Sequence, residues 1–228
     1  MAVNENNFRQ IFAELKDATL VAVSKLQAVA DISALYSLGQ RDFGENYVQE
    51  LVSKQPLLPS DIRWHFIGHL QTNKVKFIAP FVHLVHSVDS LKLLQEIDKQ
   101  AKKVQRIIPV SLQVHIAKEE TKFGFDEADL DNLLEHQSAA LDSLQNVKIT
   151  GLMGMATMTF NEGDIRQEFQ LLHSLFQKYA HYQTSNFHLD TLSMGMSSDW
   201  QMAIEEGSTM VRIGSLLFGQ RPIKTIIT

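Results

Sequence analysis

Thr19-Leu20-Val21-Ala22-Val23-Ser24-Lys25 is the stretch on which the reading of this chain turns. Leu20 to Val23 form a short unbroken apolar run with β-branched residues, the pattern of a strand buried on both faces in a parallel sheet. Lys25 closes that run at its polar end. In α/β folds the carboxyl ends of parallel strands open onto the site. An ammonium held there and partly desolvated loses some of its preference for the charged form, and a neutral amine can attack a carbonyl. A lysine at a strand end can equally snorkel to solvent, so the rest of the chain must decide.

Working outward, strand-like runs occupy 19–25, 42–46, 64–70, 82–88, 107–116, 147–156, 187–195 and 210–219. Segments with apolar residues at helical spacing lie between them, such as Leu91, Leu94, Ile97, Ala101 and Phe169, Leu172, Leu175, Phe176. Asp31, Asp89 and Ser197-Ser198-Asp199 read as helix N-caps. Alternating strands and helices imply a parallel sheet with right-handed crossovers. Eight such units in 228 residues predict an α/β fold, a single (β/α)8 barrel of the TIM type. An open doubly wound sheet is the competitor, but no Gly-x-Gly-x-x-Gly follows the first strand. No Pro-, Gly- or Ser-rich linker divides the chain, so one domain over 1–228 is expected.

The composition narrows the function classes. A formal net charge of −5 offers no general attraction to nucleic acid or anionic lipid; such partners would need a local basic patch, and no lysine run is longer than Lys102-Lys103. Without cysteine, disulfides, thiolate catalysis and cysteine-ligated metal centres are excluded. The polar, acidic start from Met1 to Asn7 does not fit a secretory signal, and no apolar stretch is long enough to span a bilayer. The cytoplasm is the expected location.

A barrel brings all its strand ends to one face. Here that face would carry Lys25, Gly44-Glu45-Asn46, Gly68-His69-Leu70-Gln71, Gly154-Met155-Ala156-Thr157, Ser193 to Ser197 and Arg212-Ile213-Gly214-Ser215. Gly195 permits a tight turn and Ser197 would then open a helix, whose unpaired N–H groups and dipole suit an anion. Gly214 has no side chain to block a ligand from the backbone. Barrels often hold phosphate between the loops after strands seven and eight; the same residues would also serve as turn and cap alone.

The histidine spacing does not suggest a metal site. His65 and His69 would share one face of a strand, His83 and His86 opposite faces, and no carboxylate at ligand spacing completes either pair. Core or surface histidines are expected, with no metal site. Met153, Met155, Met158, Met194 and Met196 should pack the interior or line the pocket.

Several motifs resemble those of the pyridoxal-phosphate homeostasis proteins, single-domain relatives of the N-terminal barrel of alanine racemase. They are Val21 to Lys25, Gly39 to Glu50, Trp64 to Lys74, Gly151-Leu152-Met153, Leu192 to Ser197 and Gly207 to Gly214, in family order. The resemblance implies that Lys25 carries pyridoxal 5'-phosphate as an internal aldimine and that Ser197 and Gly214 lie at its phosphate. It also implies that Arg212 approaches the pyridine nitrogen and that Asn46 is near the ring. The chain departs from the family where Leu26-Gln27-Ala28 replaces Thr-Lys-Pro and where His115-Ile116-Ala117-Lys118 replaces Asn-Ile and a small residue.

Two functions are compatible with these residues. One is a non-catalytic carrier that takes part in cofactor homeostasis and delivery to PLP-dependent apoenzymes. The other is a small PLP enzyme such as an amino acid racemase. Racemases of this fold add a tyrosine acid/base from a C-terminal β domain, and the sequence ends at Thr228, nine residues after Gly219, so that domain is expected to be absent. An always-charged arginine at the pyridine nitrogen also weakens the ring as an electron sink. The carrier is the favoured expectation, with no catalytic residue assigned. A phosphosugar-binding barrel, with Lys25 acting only electrostatically, is a third possibility.

Overall fold

The computed structural model describes residues 3–119 and 123–219. Eight strands form one closed, parallel barrel in sequence order: β1 (Thr19–Val23), β2 (Asp42–Glu45), β3 (Arg63–Phe66), β4 (Leu84–Val88), β5 (Ile108–Val114), β6 (Val147–Gly154), β7 (Phe187–Ser193) and β8 (Met210–Ile213). Helix α1 (Glu5–Glu14) precedes the barrel. The crossovers contain α2 (Val29–Ser37), α3 (Val48–Lys54), α4 (Val75–Ile78), α5 (Leu91–Lys103), α6 (Glu127–Asp131), α7 (Ser138–Asp142), α8 (Glu162–Tyr179) and α9 (Trp200–Glu205). A last turn, α10 (Ser215–Phe218), follows β8. The expected (β/α)8 barrel is the fold. Among the described residues, no helix is long and apolar enough to cross a membrane.

Closure is achieved by β1 and β8, which pair from Thr19↔Met210 to Ala22↔Ile213. The barrel therefore sets the last strand of the chain beside the first. Asn4 N–H donates to Leu217 O at 2.8 Å and Asn7 Nδ2 to Leu216 O at 3.0 Å, tying α1 to α10 beside this seam. The outer core is apolar: α8 turns Ile165, Phe169, Leu172, Leu175 and Tyr179 onto the sheet, and α5 turns Leu93, Leu94, Ile97 and Ala101. Their helical spacing explains why these two segments stood out in the sequence.

All eight strands are found, but the sequence extended the carboxyl ends of seven by one to six residues; β4 ends at Val88 as read. The surplus residues form loops at the barrel mouth and, after β8, α10. Helix caps differ as well. Ser90, not Asp89, caps α5 by accepting from Leu93 N–H at 3.3 Å. Ala28 precedes α2, which places Asp31 inside its first turn. At α9, Asp199 is the cap residue, and Ser197 lies in the turn before it instead of opening the helix.

The barrel interior is polar along one line. His65 on β3 meets His86 on β4, with Nδ1 and Nε2 2.8 Å apart, and His86 Nδ1 lies 3.1 Å from Ser193 Oγ on β7. Strands β4 and β7 are not neighbours, so this contact crosses the inside of the barrel. Arg212 on β8 continues the line by donating from Nη1 to Ser193 Oγ at 2.6 Å. His65, His86, Ser193 and Arg212 are thereby partnered, the condition under which such a network is tolerated in place of an apolar filling.

Candidate functional site

Lys25 lies two residues beyond β1, half-buried, in a turn that Leu26 closes with φ +63°. Both flanking residues are clamped. Lys54 on α3 donates from Nζ to Ser24 O at 2.8 Å, while Leu26 N–H donates to Glu50 Oε1 at 2.5 Å. Lys54 is itself ion-paired to Glu45 Oε1 at 2.8 Å and Glu50 Oε1 at 2.6 Å, with Lys54 and Glu45 buried. Ser24 Oγ donates to the same Glu45 oxygen at 2.6 Å. Burial pushes the Glu45 carboxyl up, and the Lys54 charge opposes that shift. Sequence reasoning missed this clamp. The Glu50/Lys54 spacing of four on a helix was its visible signal; the link to Ser24 is tertiary.

Asn46 follows β2, level with the Lys25 turn because Val23 pairs with Gly44. Its Oδ1 is buried without a hydrogen-bond partner. Gly68 on the adjacent loop is required there, since a Cβ would sit 2.2 Å from Asn46 O. Gly195 has φ +94° and packs on Ala203, as its predicted turn demands. Across that turn, Gly214 N–H donates to Ser197 Oγ at 3.3 Å. A Cβ on Gly214 would lie 3.2 Å from Val23 O, so Gly214 stands against the end of β1.

Arg212 is buried and held from two sides, with Nη2 donating to Gly154 O at 2.9 Å in addition to its bond to Ser193. Burial lowers its guanidinium to about 10, which leaves it a charged, donor-only group at neutral pH. Burial raises the nearby Asp199 carboxyl, partly offset by the Met196 N–H it accepts at 2.6 Å and by the Arg212 charge.

Lys25, Asn46, Ser197, Arg212 and Gly214 thus occupy one arc of the barrel mouth, formed by the ends of β7, β8, β1 and β2. A cavity of about 620 Å³ adjoins this arc, lined by Met155, Met158, Met196, Met202, Ser198 and Asp199 among others. None of the five residues lines that cavity. Met153 and Met194 are instead fully buried. His69, expected to share a strand face with His65, lies in the loop after β3. It stacks on Phe123 with centroids 4.3 Å apart, and its Nδ1 is 3.3 Å from Asp89 Oδ2.

This architecture defines a class, and the comparisons agree. Residues 3–222 match the family of the alanine racemase N-terminal domain. More narrowly, the chain belongs to the pyridoxal phosphate homeostasis protein family. It is 42% identical over 205 residues to the member from Aquifex aeolicus, covering 90% of this chain and 87% of that protein. It is 37% identical over 210 residues to the member from Escherichia coli K12, with the same coverage. The solved structure of PipY from Synechococcus elongatus with PLP bound is 37% identical, with a TM-score of 0.84 over 94% of this chain and 99% of that one. Alanine racemase from Streptomyces lavendulae, at 18% identity and a TM-score of 0.76, shares the fold over 56% of its length.

Proposed function

We propose that this chain, as one domain over 1–228, binds pyridoxal 5'-phosphate, holds it through Lys25 as a lysine aldimine, and serves its homeostasis and delivery to PLP-dependent apoenzymes inside the cell. The observation that supports this most strongly is the arc at the barrel seam. A clamped lysine, an asparagine with a spare buried acceptor, a serine–glycine turn and a fixed arginine stand together in a chain 37% identical to a PLP-bound relative.

The residues fit such a cofactor. Asn46 Oδ1 offers a buried acceptor, Gly214 sets its backbone N–H beside Ser197 Oγ, and Arg212 supplies fixed N–H donors. Ser197 and Gly214 would hold the phosphate, Arg212 would face the pyridine nitrogen, and Asn46 would lie near the ring. When bound, the cofactor supplies an aldehyde for imine exchange with amines and a ring that can withdraw electrons. Arg212 stays charged and accepts no proton, so it keeps the facing nitrogen unprotonated and the ring a weak electron sink. The relatives' names support a carrier over an amino acid racemase.

Borohydride reduction followed by peptide mass mapping tests the assignment. The wild-type protein should show a visible aldimine band that reduction removes, with the added mass on Lys25 alone. Lys25→Ala should lose the band and still unfold cooperatively, near the thermal midpoint of cofactor-free wild type, because a half-buried side chain in a turn fills no core volume. Labelling of another lysine refutes the assignment.

A further inference from the structure

We propose that the opposite, N-terminal pole of the barrel holds a binding site for a divalent transition cation of the zinc type, formed by Asp42, His65 and His83. One ligand atom from each lies within 4.8 Å of the others. The sequence concealed the set because its members come from the start of β2, from β3 and from the residue before β4. The missing carboxylate for the histidines is thus supplied by a neighbouring strand.

Imidazole and carboxylate are the donor types that zinc takes, and three protein ligands with an open position are a recurrent arrangement. His65 Nε2 and Asp42 Oδ1 are 3.0 Å apart, close to the roughly 3.3 Å separating two ligands of a tetrahedral zinc with bonds near 2.0 Å. His83, exposed and with its ring centroid 5.4 Å from that of His65, is the ligand that must close in. A solvent-connected cavity of about 230 Å³ lies against all three and gives the ion its entry path.

The surroundings meet the second requirement, that ligands be oriented by further hydrogen bonds. With its proton on Nδ1, neutral His65 donates to His86 Nε2 at 2.8 Å and offers its Nε2 lone pair to the metal; His86 Nδ1 then donates to Ser193 Oγ at 3.1 Å. Arg63 grips both oxygens of Asp42, with Nε 2.7 Å from Oδ1 and Nη2 on Oδ2, leaving the face of Oδ1 toward His65 for the ion. The Arg63 charge opposes a dication, so binding is weaker than in closed structural zinc sites.

The test uses the tag-free full chain, stripped with chelator and titrated with Zn²⁺ against a chromophoric competitor. Wild type should take up one saturable equivalent and gain thermal stability with added zinc, as a ligand selective for the folded state requires. His83→Ala, at an exposed position, should fold normally, weaken zinc binding at least tenfold and lose the thermal gain. His181→Ala, an exposed histidine elsewhere, should behave as wild type. Absence of saturable binding in wild type, or wild-type affinity in His83→Ala, overturns the proposal. This site stands independently of the pyridoxal phosphate reading.

Discussion

Gly214 N–H donates to Ser197 Oγ at 3.3 Å, a single bond that joins the turn after β7 to the end of β8. It makes Ser197 and Gly214 one unit and directs the choice of variant. A side chain at Gly214 would press on Val23 O and Cβ, at the end of the strand that leads to Lys25. Gly214→Val would therefore disturb the lysine as well as the anion site. Ser197→Ala is the cleaner probe. It removes one hydrogen bond to a charged group, about 1.5–3 kcal/mol, or roughly ten- to hundredfold in affinity for pyridoxal phosphate. Affinity for unphosphorylated pyridoxal, measured by the same absorbance titration, should barely change; equal losses for both ligands would remove the phosphate from this turn.

The clamp around Lys25 gives a second expectation. Lys54→Met strips the cation from Glu45 and Glu50 and leaves Ser24 O without its donor. Removing one partner of a buried pair costs about 3–5 kcal/mol. Urea denaturation should show that loss. A Lys54→Met/Glu45→Gln double variant should recover part of it, since the amide needs no counter-charge. A loss in the double variant equal to the sum of both single losses would mean the groups act independently.

β1, β4 and β5 were legible because double-sided burial writes each as a largely apolar run, and α5 and α8 because each keeps an apolar stripe. The overshoots are informative. Ile67-Gly68-His69-Leu70 and Met194-Gly195 continue past the last ladder pair with mostly apolar or small residues, so composition cannot mark where pairing stops and the loop begins. Asp89 and Ser90 are both good caps, and the structure gives the role to Ser90 while Asp89 meets His69. The position of Lys25, Ser197, Arg212 and Gly214 at one mouth was readable because barrel topology sends strand ends there. The interior line was not. His86 and Ser193 are 107 residues apart, and only the closed barrel brings them together.

Acid stability follows from that interior line. Burial would raise the Asp42 carboxyl, but hydrogen bonds from His65 and Arg63 outweigh it and hold the group at about 2, below its ordinary 3.8. A depressed carboxylate contributes stability that is complete above pH 4 and lost as pH falls toward 2, roughly 2 kcal/mol here. Burial, then the His65 and Arg212 charges, keeps His86 well below its ordinary 6.5. Its contribution is therefore complete above pH 6.5 and declines at lower pH, because only the unfolded chain takes up the proton. Other groups titrate in both windows, so the difference between variant and wild type isolates each effect. His86→Gln should flatten the pH slope of the urea midpoint between pH 6.5 and 5, and Asp42→Asn the slope between pH 4 and 2. Slopes identical to wild type would show that these groups do not govern acid unfolding.

The last expectation separates carrier from enzyme at Arg212. Its guanidinium spans Ser193 Oγ and Gly154 O and faces the Asp199 side with its charge intact. Arg212→Glu places an acceptor where a permanent donor stood, so a pyridine nitrogen at that point could be protonated and the ring would draw electrons more strongly. The variant also leaves Gly154 O without its partner and buries an acid, so lower stability and weaker cofactor retention are expected alongside. Corrected for occupancy by the absorbance of bound cofactor, the Glu variant should exchange the α-proton of an added amino acid for solvent deuterium faster than wild type, as read by mass spectrometry. Wild type should exchange slowly and invert no amino acid. Brisk racemisation by wild type that disappears in Lys25→Ala would overturn the carrier reading, whereas slow exchange in both proteins at equal occupancy would remove Arg212 from the pyridine nitrogen.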